Sequence, residues 1–378
     1  MKKRILLVSL NAQDVFIGQL AKRLVDHEFS VWRFYVQEAR LFHYNEEKSI
    51  ELLGSPKSKG LSLFQMIKAS LRIRKYVRKI DVVHYHYIDS TIALLSNFIL
   101  PKLSFGQAIS RKRTYATFWG SDFYKASKKA IFLRRRLLKK ARGISFTNHL
   151  TQQSFDKLYP QLSNKTQTIR FGLIPLDDIK AVTAEAVIKM KHDIGLPEAK
   201  KIVCLGTNAS SNQNHDKIFD ALFQGPIPLE NEVHFLVPLG YPNNATPYIE
   251  ALKAKVPEEW KTFITFDTDF YSGKDLATYR ACVDVLIQLQ TTDQFSGAMQ
   301  EVLASGGDVI TASWLPYDLL RKKKVHFYQI HEFSAISNTL KEVLLHPITP
   351  EAARHNSFVI NSLSHWDEVI LEWVALYN

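Results

Sequence analysis

The chain alternates two kinds of hydrophobic pattern. Short, nearly unbroken apolar runs (RILLVSL, FSVWRFYV, DVVHYHY, RTYATFW and GISFTN) read as strands buried on both faces. Between them lie stretches with apolar residues at helical spacing: 15–26, 61–80, 92–103, 128–142 and 150–159. In the second of these, Met66, Ile73, Val77 and Ile80 share one face. TQTIRFG closes the series as a last strand. Strands alternating with helices predict a parallel sheet covered by helices.

Around residues 175–199 the pattern turns polar, with a helical middle and a Gly-Leu-Pro stop, and reads as a connection. The alternation then restarts with KIVCLGT, VHFLVPL, FITFD, VDVLIQL, DVITA and HFYQI as strands, and with helices near 216–223, 247–255, 274–282 and 297–305. The chain has 378 residues, and single cores stop growing at roughly 250–300. The expected class is therefore α/β, with two Rossmann-like doubly wound domains facing across a cleft. The expected boundaries are 1–175, a linker at 176–199, a second domain at 200–352, and a C-terminal helical segment at 353–378. In that segment Trp366, Val369, Ile370 and Trp373 share a helical face. The spacing allows it to pack on the first domain or on its own. Open α/β sheets bind ligands at the carboxyl ends of their strands, so functional residues are sought there.

Charge sharpens the picture. Residues 1–180 hold 33 Lys and Arg against 13 Asp and Glu, a balance of +20, while 181–378 hold 16 against 24, a balance of −8. A basic half asks for an anionic partner: lipid headgroups, a phosphate-bearing acceptor or nucleic acid. Its cations concentrate at Arg72, Arg74 and Lys75, and at Lys128, Lys129, Arg134, Arg135, Arg136 and Lys139. In the second cluster Ala130, Leu133, Leu137 and Ala141 form the stripe expected to pack on the sheet, with the cations facing out and Ile131 and Phe132 available to an interface. ILLVSL is too short for the core of a signal peptide. No stretch approaches the about 20 apolar residues of a membrane span. The expectation is a cytoplasmic protein, peripheral on the inner face of the membrane. Cys204 and Cys282 lie in apolar runs without metal-ligand spacing and read as core residues.

Candidate chemistry follows the strand ends. After the first strand the chain reads SLNAQDVFIGQL, without the glycines that let a pyrophosphate approach closely, which argues against a dehydrogenase. After KIVCLG, a run of small polar side chains includes Asn208, Ser210, Ser211, Asn214 and His215 ahead of a helix. Hydroxyl and amide groups with a helix N-terminus form a candidate diphosphate site without metal. Farther on, Asp293 and Glu301 are separated by seven residues, with Gln294, Ser296 and Gly297 between them. An acid at a strand exit can hold a sugar, and an acid in the following helix can accept from ribose hydroxyls. In the first half, Asp122 follows RTYATFWGS and is the first candidate for a base acting on an acceptor hydroxyl. His86 and Asp89, on or after DVVHYHYID, come next with His84, and His149 is similar.

The run TTDQFSGAMQEVLASGGDVIT resembles the carboxylate-x7-carboxylate segment of GT-B glycosyltransferases. Asp293 stands where Glu is usual, Glu301 matches the second acid, and Asp308 stands where Pro is common. VPLGYPNNATPYIEAL, the Asn/Ser loop ending in Asn214-His215, and TFWGSDFYK (with Trp119, Gly120, Ser121, Asp122 and Tyr124) are similar to segments of one enterobacterial family. Its members add an acetamido-dideoxygalactose (Fuc4NAc) to a lipid-linked disaccharide. The ordered set spans most of the chain. The resemblance implies a Leloir-type, metal-independent transferase without a cofactor, acting in bacterial polysaccharide or glycoconjugate synthesis. It implies a nucleotide diphosphate at residues 208–215 with Gly240, Tyr241 and Phe270 beside the nucleotide, and a polyprenyl-linked or other glycan acceptor on the basic domain. Two other classes remain open from the residues: a basic nucleic-acid-binding protein, and a GT-B-fold epimerase or non-catalytic subunit. The acidic second half and the lack of a nucleic-acid-binding module count against the former.

Overall fold

The computed structural model describes residues 2–11, 14–53, 61–99, 113–225, 232–242 and 245–378. The chain divides into two compact units. One runs to Gly172 and also takes Val369–Asn378, and the other spans Leu173–Glu368.

The first unit holds β1 (Arg4–Ser9), β2 (Ser30–Tyr35), β3 (Arg40–His43), β4 (Lys48–Glu51), β5 (Val82–His86), β6 (Arg113–Phe118), β7 (Gly143–Phe146) and β8 (Thr166–Thr168). They form one sheet in the order β4-β3-β2-β1-β5-β6-β7-β8. Pairing is parallel from β2 to β8, and β3 and β4 add an antiparallel edge. That edge was not expected from the sequence, because each strand is four residues long and β4, KSIE, is largely exposed. The predicted helix at 61–80 is two pieces, Leu63–Arg72 and Arg74–Val77, with Ile73 between them still in the right-handed region. The helix predicted at 92–103 runs over Ser90–Ile99, and residues 100–103 lie outside the described residues. The helix at 128–142 is observed as Lys128–Lys140. The last helix, Trp366–Tyr377, buries all four of its expected apolar residues. Its C-terminal part belongs to the first unit, where Trp373 Nε1 donates to the Arg170 carbonyl at 2.8 Å. There Tyr377 Oη lies 2.6 Å from His84 Nδ1.

The second unit is wholly parallel: β9 (Lys201–Leu205), β10 (Val233–Pro238), β11 (Ile264–Asp267), β12 (Val285–Gln288), β13 (Asp308–Ala312) and β14 (Tyr328–Ile330), in the order β11-β10-β9-β12-β13-β14. Residues 176–199, expected as a linker, contain the helices Pro175–Ile179 and Ala184–Asp193, and Leu176 and Ile179 join the core of this unit. Chain order reverses between β9 and β12, so the loops leaving those strands diverge and leave room for a ligand. Cys204 and Cys282 are both buried free thiols.

Candidate donor site

The loop after β9 turns on Gly206, with φ of +69°, where an added Cβ would sit 2.4 Å from His215 Nε2. Most polar side chains of this loop point inward and hold it. Gln213 Oε1 accepts from the Thr207 amide at 3.1 Å, and Asn208 Oδ1 from the Ser210 amide at 3.0 Å. The Ser210 hydroxyl accepts from the Asn212 amide. Asn214, itself left-handed with φ of +57°, donates to the Leu289 carbonyl at 2.7 Å. His215 places Nε2 3.0 Å from the Leu205 carbonyl and Nδ1 3.0 Å from Tyr248 Oη. Burial pulls the His215 pKa down to about 4, so the ring is neutral at pH 7. The expectation that Asn214 and His215 face a phosphate is therefore corrected. Both are buried and lock the loop, while Asn208 and Ser210 keep partial exposure and Ser211 is exposed.

The loop after β12 is tied to this one through Asn212, which pairs with Thr292 at both ends of its amide. Here a relay was invisible in the sequence. The Ser296 hydroxyl donates to Gln288 Oε1 at 2.7 Å, Gln288 Nε2 donates to Tyr317 Oη at 2.8 Å, and Tyr317 donates to Asp293 Oδ2. Ser296 also caps the helix Gly297–Ser305 by accepting from the Met299 amide. The relay fixes the Asp293 carboxylate against the start of the helix that carries Glu301. Burial raises the Asp293 pKa, and the Tyr317 hydrogen bond opposes this. Glu301 is 5% exposed, and its Oε2 accepts from Arg280 Nε at 2.8 Å. Its Oε1 lies beside Gly297, where a Cβ would stand 3.5 Å away.

Arg280 also lines a pocket of about 260 Å³, with Thr207 and Asn208, Gly240 and Tyr241, Asp269 to Tyr271, and Tyr279 among others. Tyr241 is 61% and Phe270 71% exposed, two aromatic faces free at its rim. Gly240 admits no side chain, since a Cβ would be 2.0 Å from the Asp269 carbonyl oxygen. Of the donor residues expected from the sequence, Asn208, Gly240, Tyr241 and Phe270 line this pocket, and Asp293 and Glu301 do not. Gln288, Tyr317 and Arg280 were missed, because they come from a strand, a loop and a helix that no motif spacing links.

In the first unit the three candidate bases have other tasks. Asp122 does not stand open. Its Oδ1 accepts from the Trp119 and Gly120 amides at 2.9 and 3.0 Å, and its Oδ2 from the Ile88 amide at 2.6 Å. Burial pushes its pKa up to about 6 against those bonds. His86 is fully buried beside His84, Phe171 and Trp373, neither ring nitrogen has a hydrogen-bond partner among the described residues, and burial holds the ring neutral. Asp89 accepts from the Ile92 amide at 2.8 Å, which anchors the start of the helix Ser90–Ile99. His149 is exposed and meets Gln153.

No protein-family model matches this chain, and no curated protein matches it. Solved structures do. A glycosyltransferase from Rickettsia africae superposes with a TM-score of 0.76 at 15% identity, covering 100% of this chain and 98% of that one. Anabaena HepE in complex with UDP gives 0.70 at 13%, covering 99% of both chains. Sucrose-phosphate synthase from Thermosynechococcus elongatus gives 0.71 at 14%, covering 100% and 98%. The fold is GT-B.

In this GT-B chain the basic face of the first unit differs in one respect from its expectation. Arg134 does not face out. It is 1% exposed, stacks on Phe118 and Phe123, and bonds the Asp122 carbonyl and Tyr159 Oη. Lys128, Lys129, Arg135 and Lys139 are exposed and Arg136 half-buried. Arg72 donates to the Leu52 carbonyl, Arg74 to the Phe98 carbonyl, and Lys75 lies over the Tyr76 ring. On the helix Lys128–Lys140 Phe132 is 67% exposed and Ile131 half-buried, and on Leu63–Arg72 Phe64 is 75% exposed. The helices Leu63–Arg72 and Lys128–Lys140 both pack on Ser90–Ile99. Among the described residues no helix is long and apolar enough to cross a membrane.

Proposed function

We propose that this protein transfers a glycosyl group from a nucleotide-diphosphate sugar to an acceptor. The observation that carries the reading is the pair Asp293 and Glu301, carried by the loop and helix that follow β12 where chain order reverses in the second unit, with Glu301 bound to Arg280 of the pocket that Tyr241 and Phe270 also line. The base stacks between exposed aromatic faces at the rim. A ribose hydroxyl donates to Glu301 Oε1, because Oε2 is committed to Arg280. Asp293, oriented by Tyr317, accepts from hydroxyls of the transferring sugar. UDP bound to HepE, a chain with the same fold, supports a nucleotide ligand.

The finer reading is a metal-independent enzyme on the cytoplasmic face of a membrane, taking a lipid-linked saccharide as acceptor. It rests on the motif resemblance and on the exposed cations and aromatics of the first unit. Each basic residue near an anionic leaflet contributes about 1 kcal/mol.

Thermal unfolding with a panel of nucleoside diphosphates, in chelator, tests the donor reading. One nucleotide class raises the melting temperature of the native protein, and Glu301→Ala reduces that shift. No shift with any nucleotide at millimolar concentration sinks the proposal. Consumption of the donor only when acceptor is added separates a transferase from an epimerase.

A further inference from the structure

The groups expected to neutralise a diphosphate are largely spent on the loop itself. Residues 207–215 contain no Lys or Arg, and Gln213, Asn214 and His215 are buried and bonded within the protein. A nucleotide diphosphate nevertheless brings charge that a site without a cation would have to desolvate at a cost. Arg280 is the cation among the residues lining the pocket, together with Thr207 and Asn208 of that loop.

Its setting is unusual for a structural ion pair. The bond to Glu301 runs through Nε rather than through the terminal fork. Among the described residues, neither terminal nitrogen of Arg280 has a hydrogen-bond partner. The residue is only 8% exposed, yet that remnant borders the pocket. Burial pulls the Arg280 pKa down, but the Glu301 charge outweighs it, so the guanidinium stays a cation. Glu301 thereby fixes the plane of the group and leaves its terminal N–H donors unspent. A guanidinium fork suits two oxygens of one phosphate. The exposed Asp269 enters the pocket wall beside Gly240, where its carbonyl closes on the glycine.

We infer that Arg280 binds the phosphate oxygens of the donor nucleotide, positioned for this by Glu301. This rests on the donor-site reading above and adds to it the residue that meets the diphosphate charge. Glu301 then serves two ligands, holding Arg280 through one oxygen and the ribose through the other.

The test compares nucleoside, nucleoside monophosphate and nucleoside diphosphate affinities by calorimetry in chelator, for native protein, Arg280→Lys and the pair Arg280→Gln with Glu301→Gln. The paired variant leaves no unpaired buried charge, so it keeps the fold, which circular dichroism verifies. The readout is the ratio of diphosphate to nucleoside affinity, which loss of the ribose contact alone does not move. The expected result is a fall in that ratio of about 10- to 100-fold in the paired variant, the range for a hydrogen bond to a charged group, and an intermediate ratio in Arg280→Lys. Affinities that fall in parallel, with the ratio unchanged, overturn the inference and leave the donor site standing. A native protein that binds no nucleotide overturns the donor site itself.

Discussion

His215 shows how one side chain is diverted from the role its position suggests. It follows a polar loop at a helix start, where a ligand for phosphate is expected, yet both nitrogens are consumed and the ring is buried. Its folded pKa of about 4 lies below the ordinary 6.5. The unfolded chain therefore takes up a proton between those values that the folded chain refuses, and stability falls as pH drops from 6.5 towards 4. Replacing His215 with Gln removes the titrating group along with its two hydrogen bonds. At pH 7 the variant is expected to lose about 1–3 kcal/mol. Towards pH 4 that deficit shrinks, because only the native protein continues to pay for the neutral imidazole. Denaturant melts of both proteins across this range check it; a deficit that stays constant refutes it. Asp122 works in the opposite sense: its raised pKa of about 6 makes its own contribution fall as pH rises towards 6.

At the scale of the element, the β9 turn depends on a residue with no side chain. Gly206 is left-handed and packs against the His215 ring, so Gly206→Ala adds both backbone strain and a clash. The expected cost is about 2–4 kcal/mol, read as a lower melting temperature, with weaker nucleotide binding because the loop carrying Thr207 and Asn208 must shift. Unchanged stability contradicts the geometry. This turn also marks the limit of what the sequence discloses. Period and composition disclosed the parallel strands and most helices, because a strand buried on both faces has few other readings. Motif spacing singled out Asp293 and Glu301 as candidates. It did not disclose Arg280, Gln288 or Tyr317, whose roles exist only once distant segments meet. Nor did it show that Arg134 lies inward: a helix with cations all round hides which of them the fold stacks on aromatic rings.

At the scale of the whole molecule, the charge asymmetry is a binding argument rather than a folding one. Most of the described Lys and Arg side chains in the first 180 residues are exposed, where surface charge contributes little to stability. Their use must be sought in a partner. Phe132, exposed on the helix that carries Lys128, Lys129, Arg135 and Lys139, gives that helix the composition of a bilayer interface, with cations for headgroups and a ring for the acyl boundary. The internal control is Arg134, on the same helix but buried. Reversing Lys128, Lys129, Arg135 and Lys139 to Glu is expected to leave the fold within about 1 kcal/mol, while binding to vesicles rich in anionic lipid falls by two orders of magnitude or more, since each lost cation removes about 1 kcal/mol. Arg134→Met acts the other way. It disturbs the contacts with Tyr159 and the Asp122 carbonyl, lowers the melting temperature, and leaves vesicle binding of the folded fraction intact. Sedimentation with vesicles of graded anionic content, at low and high salt, separates the two. Equal binding to neutral vesicles would remove the electrostatic basis of the membrane reading. Salt-sensitive binding to oligonucleotides but not to vesicles would transfer the basic face to nucleic acid.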